Sequence, residues 1–127
     1  MTITKSKPYK KIKSLLKKSD KIWLISCNSC ARVCKTGGEQ GAKILAEKLK
    51  KDGFQVCGIS IVAMPCVLEL MAREKIKADV IILLSCVSGV FNAKKVFKGK
   101  KIVNALKTIG LGVRDNKDNF SLVKAFK

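Results

Sequence analysis

Six cysteines are the residues of this sequence best suited to chemistry, and no histidine accompanies them. Three form a C-x2-C-x3-C loop and three follow later in the chain. Their positions are Cys27, Cys30, Cys34, Cys57, Cys66 and Cys86. The loop is compact enough for its three sulfurs to reach one centre, as in iron–sulfur sites. The spacing therefore indicates metal or redox use.

Length and composition favour one globular domain, because 47% of the 127 residues are hydrophobic. The longest apolar runs, Ile22–Ile25 and Val80–Leu84, are far shorter than the roughly 18–20 residues that cross a bilayer. The lysine-rich start lacks the apolar stretch of a signal peptide. We therefore expect a cytoplasmic protein that does not cross a membrane, in which disulfides are disfavoured.

The net charge of +18 comes almost entirely from lysine. The sequence contains only three arginines, whereas nucleic-acid readers favour arginine for bidentate contacts. Aromatic residues make up only 6% of the chain, which argues against a platform for base stacking. We expect no nucleic-acid binding. The lysines are instead expected to steer an acidic protein partner, such as a ferredoxin or a companion subunit.

Hydrophobic periodicity predicts alternating strands and helices. We predict a basic helix around Tyr9–Lys18 in an N-terminal segment 1–20, an α/β domain over 21–107 and a C-terminal tail over 108–127, where the periodicity is interrupted. The predicted strands of the domain are Lys21–Ser26, Phe54–Ala63, Ala78–Ser85 and Lys101–Ala105. This alternation predicts a small open parallel sheet with helices on both faces, flavodoxin/Rossmann-like, with strand order 2-1-3-4 counted from Lys21.

Most of the cysteines follow the predicted ends of strands. Ligands of an open parallel sheet sit beyond the carboxyl ends of its strands. Five cysteines are expected at that edge as metal ligands: Cys27, Cys30, Cys34, Cys66 and Cys86. Cys57 falls inside a predicted strand, so we expect a buried small hydrophobic residue there and leave it out of the site.

Backbone groups near these sulfurs are also expected to stabilise the bound metal centre. Gly37 and Gly38 would let the backbone approach the sulfurs, and such hydrogen bonds raise a reduction potential. Helices predicted to begin near Gly38, Pro65 and Ser88 would point their positive ends at the same edge. We predict one [4Fe–4S] cluster held by four of the five cysteines, and the sequence leaves open which four.

Two other chemistries suit the same residues. A thiolate zinc module is one alternative, although zinc sites favour paired C-x2-C knuckles and only one such pair is present. A small thiol-redox protein using Cys27 and Cys30 is the other, but the chain has no histidine to act as base. Electron transfer by a subunit that catalyses nothing alone is favoured.

Three segments resemble the methylenetetrahydrofolate reductase C-terminal domain family: Cys27–Glu39, Ala63–Cys66 and Ala78–Cys86. The resemblance covers roughly residues 21–112. It implies a small iron–sulfur subunit that passes electrons to the flavin of a large methylenetetrahydrofolate reductase subunit. That partner reduces methylene- to methyl-tetrahydrofolate in one-carbon metabolism, as in the Wood–Ljungdahl route.

Many members of this family continue into a second cysteine-rich segment. Here residues 120–127 contain no cysteine. We therefore expect a short form with a single metal centre, and with flavin only on the partner.

Overall fold

The computed structural model describes residues 1–126, which contain seven strands and five helices. In chain order these are β1 (Thr2–Ser6), α1 (Tyr9–Ser14), β2 (Lys21–Cys27), α2 (Cys30–Val33), α3 (Gly38–Lys51), β3 (Gln55–Val62), α4 (Leu68–Ala72), β4 (Val80–Leu84), α5 (Val87–Val96), β5 (Lys101–Asn104), β6 (Leu106–Arg114) and β7 (Phe120–Ala125). Within this part of the chain, no helix combines the length and apolar character that a bilayer crossing requires.

Four strands form a parallel sheet in the order β3-β2-β4-β5. All five residues of β4 are buried, because helices cover both faces of the sheet. This explains why β4 is a continuous apolar run rather than an alternating one. The predicted α/β class with a four-stranded parallel sheet is confirmed.

The side chains of β4 alternate between two hydrophobic clusters. Ile82 packs in the cluster that also contains Leu45 and Leu49 of α3, whereas Ile81 packs in the cluster with Val90 of α5. The sheet therefore has a core on each face. Burying one such side chain contributes about 1.5–3 kcal/mol, so these layers hold the strand ends in place.

Helix α3 has charges that suit its direction. Glu39 lies in its first turn, and Lys48, Lys50 and Lys51 lie in its last turn, where the helix dipole favours cations. The helix ends at Lys51, and Gly53 with φ of 88° turns the chain into β3. The amphipathic helix predicted here is present.

A second, antiparallel sheet has the order β1-β6-β7, and it corrects the predictions for both ends of the chain. The helix predicted around Tyr9–Lys18 is present but shorter, over Tyr9–Ser14, and Thr2–Ser6 of the same segment forms a strand. The β-branched residues Thr2 to Thr4 favour the strand, and Pro8 at the N-cap prevents the helix from extending backwards. The segment predicted as a C-terminal tail, 108–127, supplies most of β6 and all of β7 up to residue 126, and Lys127 lies outside the described residues.

The prediction that Cys57 is buried is wrong. Ile22 pairs with Val56 and Trp23 pairs with Gly58, so a β-bulge leaves Cys57 without a partner on β2. Its side chain is exposed on β3, an edge strand of the parallel sheet. The Trp23 ring lies against Gly58, where an added Cβ would come within 2.4 Å of the ring.

The two faces of α3 provide a test of the core. Leu49 is fully buried, so we expect Leu49→Ala to lower the free energy of unfolding by about 2–5 kcal/mol. Ile44 of the same helix is 48% exposed, and Ile44→Ala should change it by no more than about 0.5 kcal/mol. Urea denaturation followed by circular dichroism measures both. Equal losses in the two variants would contradict the packing described.

Candidate metal centre

The C-x2-C-x3-C loop folds as the end of a strand followed by one helical turn. Cys27 is the last residue of β2 and Cys30 is the first residue of α2. The amide of Cys34 donates to the carbonyl of Cys30 at 3.0 Å and closes the turn. The three cysteines are therefore held by backbone hydrogen bonds and by the buried strand before them.

Four of the predicted cysteines line one pocket of about 140 Å³. They are Cys27, Cys30, Cys66 and Cys86, and they share the pocket with Thr2, Ser29, Met64, Pro65, Ser85 and Ser88. Cys27 is buried, Cys30 and Cys86 are half-buried, and Cys66 is exposed. The residues lining this pocket include no carboxylate, so its polar groups are thiols, hydroxyls and backbone.

The pocket lies where three parallel strands end. Cys27 ends β2, Cys66 follows β3, and Cys86 lies between β4 and α5 as the N-cap of that helix. The ten-residue helix α5 thus begins beside a pocket thiol, and the positive end of its dipole lies at the pocket. Helices α2 and α4 are too short to contribute comparably.

The environment of Cys27 shifts its acidity in both directions. Burial raises the pKa of this thiol above its usual value, whereas hydrogen bonds from the backbone N–H groups of Ala31 and Ser29 lower it. The amide of Ser29 lies 3.4 Å from the sulfur. Negative charge on Cys30 or Cys86 raises the pKa further.

Cys66 experiences the same neighbours. Although the residue is exposed overall, partial loss of water around the sulfur raises the pKa of Cys66, and negative charge on Cys86, Cys27 and Cys30 raises it further. Negative charge on the neighbouring sulfurs thus opposes ionisation of both Cys27 and Cys66. A bound cation reverses this repulsion, because thiolates are the form that ligates metals.

Cys34, the fifth predicted ligand, does not line the pocket. Its half-buried sulfur lies 3.9 Å from the carbonyl oxygen of Thr2, on the strand that packs against α2. Thr2 itself lines the pocket, so Cys34 lies beside the pocket and not in it.

Gly37 and Gly38 are not among the residues lining the pocket either. A Cβ on Gly37 would lie 2.7 Å from the Cβ of Ala31, and Gly38 has a φ of 71° that favours glycine. The Ser26 hydroxyl donates to the Gly38 carbonyl at 2.8 Å. The structure thus gives the two glycines a role in joining α2 to α3, and not the predicted contact with the cysteine pocket.

Ser85 is a pocket residue that the sequence analysis did not identify. It is 1% exposed, and its hydroxyl has no hydrogen-bond partner among residues 1–126. Leaving such a group unsatisfied costs about 1–3 kcal/mol, so this hydroxyl suits a pocket that holds a ligand. The signal in the sequence was the repeated Ser-Cys pair at two strand ends.

Among residues 1–126, no three histidine, cysteine, aspartate or glutamate side chains are arranged around a single point that could hold one metal ion. Comparisons of the chain with family models, with curated proteins and with solved structures find no match. The resemblance to the methylenetetrahydrofolate reductase C-terminal domain family therefore stays a prediction.

The exposures of the cysteines predict an order of modification. In folded, metal-free protein we expect Cys57 to react with a thiol reagent well before Cys27, because Cys57 is exposed and Cys27 is only 6% exposed. Mass spectrometry of peptides after brief labelling measures the order. Equal reaction of the two in the native protein, compared with a urea-unfolded control, would contradict the described burial.

Proposed function

We propose that this chain is an iron–sulfur electron-transfer subunit that holds one [4Fe–4S] cluster. The observation that carries the proposal is the single pocket lined by Cys27, Cys30, Cys66 and Cys86. Four thiolates are the usual ligand set of such a cluster. We assign these four as its ligands and leave Cys34 as the fifth, non-ligating cysteine.

The donor chemistry of the pocket supports a cluster. Soft thiolate ligands select iron–sulfur clusters, zinc or copper(I), whereas carboxylates select harder ions and are missing from the lining. In a cubane cluster each cysteine binds a different iron, so its ligands must surround the pocket and need not meet at one point. A zinc ion would require all four sulfurs within about 2.3 Å of a single centre.

A thiol-redox function has less support. The attacking group in such proteins is a thiolate, and reactive cysteines usually have lowered pKa values. Burial raises the pKa of Cys27, which acts against its use as a nucleophile. The sequence also offers no histidine as a base.

The proposed partner is the large flavoprotein subunit of a methylenetetrahydrofolate reductase, and this rests on the family resemblance. A bound cluster would pass one electron at a time, so two transfers would supply the two electrons for reducing methylene- to methyl-tetrahydrofolate on the partner. The flavodoxin-like arrangement of strands, with the cluster at their carboxyl edge, belongs to the same proposal.

Surface properties support transfer between proteins. The net charge of +18 suits an acidic electron donor such as a ferredoxin, because opposite charge accelerates encounter. Exposed apolar side chains also lie near the pocket in sequence: Met64 precedes Pro65 and Cys66, and Val87 follows Cys86. A cysteine pocket at the surface with an apolar border suits short-range transfer to a docked protein.

The first experiment is anaerobic purification followed by counting metal and sulfide. We expect brown protein with about four irons and about four sulfides per chain, and a reduced form with an electron spin resonance signal. Colourless protein with zinc and no sulfide would refute the cluster and favour the zinc module.

Two exposed cysteines provide a matched pair for mutation. Cys66→Ser should abolish or strongly reduce bound iron, because Cys66 lines the pocket. Cys57→Ser should leave iron and sulfide unchanged, because Cys57 lies in the bulge of β3 outside the lining. Iron per folded chain is measured after anaerobic reconstitution of both. Full iron in Cys66→Ser would contradict the assigned ligands.

A separate substitution tests whether Cys34 is a ligand. Because Cys34 does not line the pocket, we expect Cys34→Ser to retain most of its iron, in contrast to Cys30→Ser. Loss of iron from both variants would show that Cys34 is also needed.

A further inference from the structure

The hydroxyl of Ser85 is the most unusual polar group of the cysteine pocket. Ser85 lies between the last residue of β4 and Cys86, and it is 1% exposed. Its Oγ has no hydrogen-bond partner within residues 1–126. Nearly all buried polar groups are hydrogen-bonded. Because Ser85 belongs to the pocket lining, a ligand in the pocket is a partner that this hydroxyl could reach.

Space for this hydroxyl depends on a glycine. A Cβ built on Gly89 would lie 2.0 Å from the Ser85 Oγ and 2.9 Å from the Cβ of Pro65. Gly89 is in the first turn of α5, where any side chain would displace the hydroxyl. The first turn of α5 therefore packs directly against the hydroxyl.

Ser26 is the natural comparison for Ser85. Each serine precedes a pocket cysteine at the end of a parallel strand, in Ile25-Ser26-Cys27 and in Leu84-Ser85-Cys86. Ser26 is fully buried, and its hydroxyl donates to the Gly38 carbonyl at 2.8 Å. Of these two serines, only Ser85 lines the pocket. The Ser26 hydroxyl therefore has a hydrogen-bond partner within the protein, whereas the Ser85 hydroxyl has none among residues 1–126.

We propose that the Ser85 hydroxyl donates a hydrogen bond to a sulfur of the bound cluster and thereby raises its reduction potential; this rests on the proposed cluster. A serine hydroxyl has one proton to donate, and sulfur atoms in a negatively charged cluster accept it. Ser85 is thus a tuning residue and not a ligand.

The direction of the effect follows from charge. Reduction adds one electron, so the sulfurs of the reduced cluster are more negative and the hydrogen bond to them is stronger. The bond therefore stabilises the reduced form, and hydrogen bonds to cluster sulfurs are a recognised control of potential. Removing it should make the potential more negative.

The test is a spectroscopic redox titration of the anaerobically prepared protein. We expect Ser85→Ala to disfavour reduction by up to about tenfold, which corresponds to about 59 mV for a one-electron couple. Ser85→Gly removes the same hydroxyl and serves if Ser85→Ala does not fold. Iron, sulfide and circular dichroism are measured first on every variant.

Ser26→Ala is the matched control. It removes a buried hydroxyl whose partner is the Gly38 carbonyl, so it should lower stability without moving the potential. An unchanged potential in Ser85→Ala and Ser85→Gly would overturn the role of Ser85 while leaving the cluster in place. Equal shifts in the Ser26 and Ser85 variants, or folded Ser85 variants without iron, would also overturn it. Wild-type protein without iron and sulfide would overturn the cluster and this role together.

Discussion

Parallel pairing of β2 with both β3 and β4 is the constraint on which the candidate site depends. In the observed register Cys27 pairs with Val62, and Ser26 pairs with Leu84. These pairs place three strand ends at the same level, so the loops that follow them start beside one another. Because β2 and β4 are buried between two helical layers, slipping the register by one residue would turn core side chains to the opposite face. The position of the thiols is thus set by core packing.

The antiparallel sheet supplies part of the pocket wall at the carboxyl edge of the parallel sheet. Residues Thr2–Ser6 pair with β6, at least 100 positions later in the chain, and β1 also packs against the short helix α2. Thr4 and Thr36 join the two parts through a hydroxyl contact of 2.7 Å. Thr2 consequently reaches the pocket, although its place in the sequence is remote from every cysteine.

The elements that the sequence predicted are those formed by interactions between residues close together in the chain. Buried strands such as Val80–Leu84 and the amphipathic helix Gly38–Lys51 can be predicted from the sequence, because the hydrophobic pattern that defines each of them is local. The β1-β6-β7 sheet was not predicted, since β1 pairs with a segment at least 100 residues away and the β6–β7 hairpin has weak periodicity. The exposed position of Cys57 was missed for another reason. A bulge changes which face a residue occupies without changing the composition of its strand.

Within the candidate site, strand topology predicted the meeting of Cys27, Cys30, Cys66 and Cys86. It could not separate Cys34 from them, because the orientation of that side chain depends on β1, whose position was not predicted. Gly37 and Gly38 were predicted to approach the sulfurs, whereas the structure places Gly37 against Ala31 and gives Gly38 a positive φ. Sequence indicates that a glycine is needed more readily than it indicates which neighbour requires it.

The close approach of Gly89 to Ser85 has a consequence for how this sequence can diverge. Since a Cβ at position 89 would overlap the Ser85 oxygen, the two positions cannot vary independently. Removing the hydroxyl alone does not make room, because the same Cβ would lie 2.9 Å from the Cβ atoms of Pro65 and Ser85. Position 85 can therefore change while position 89 keeps its glycine, whereas a side chain at position 89 requires Pro65 and the end of β4 to move as well.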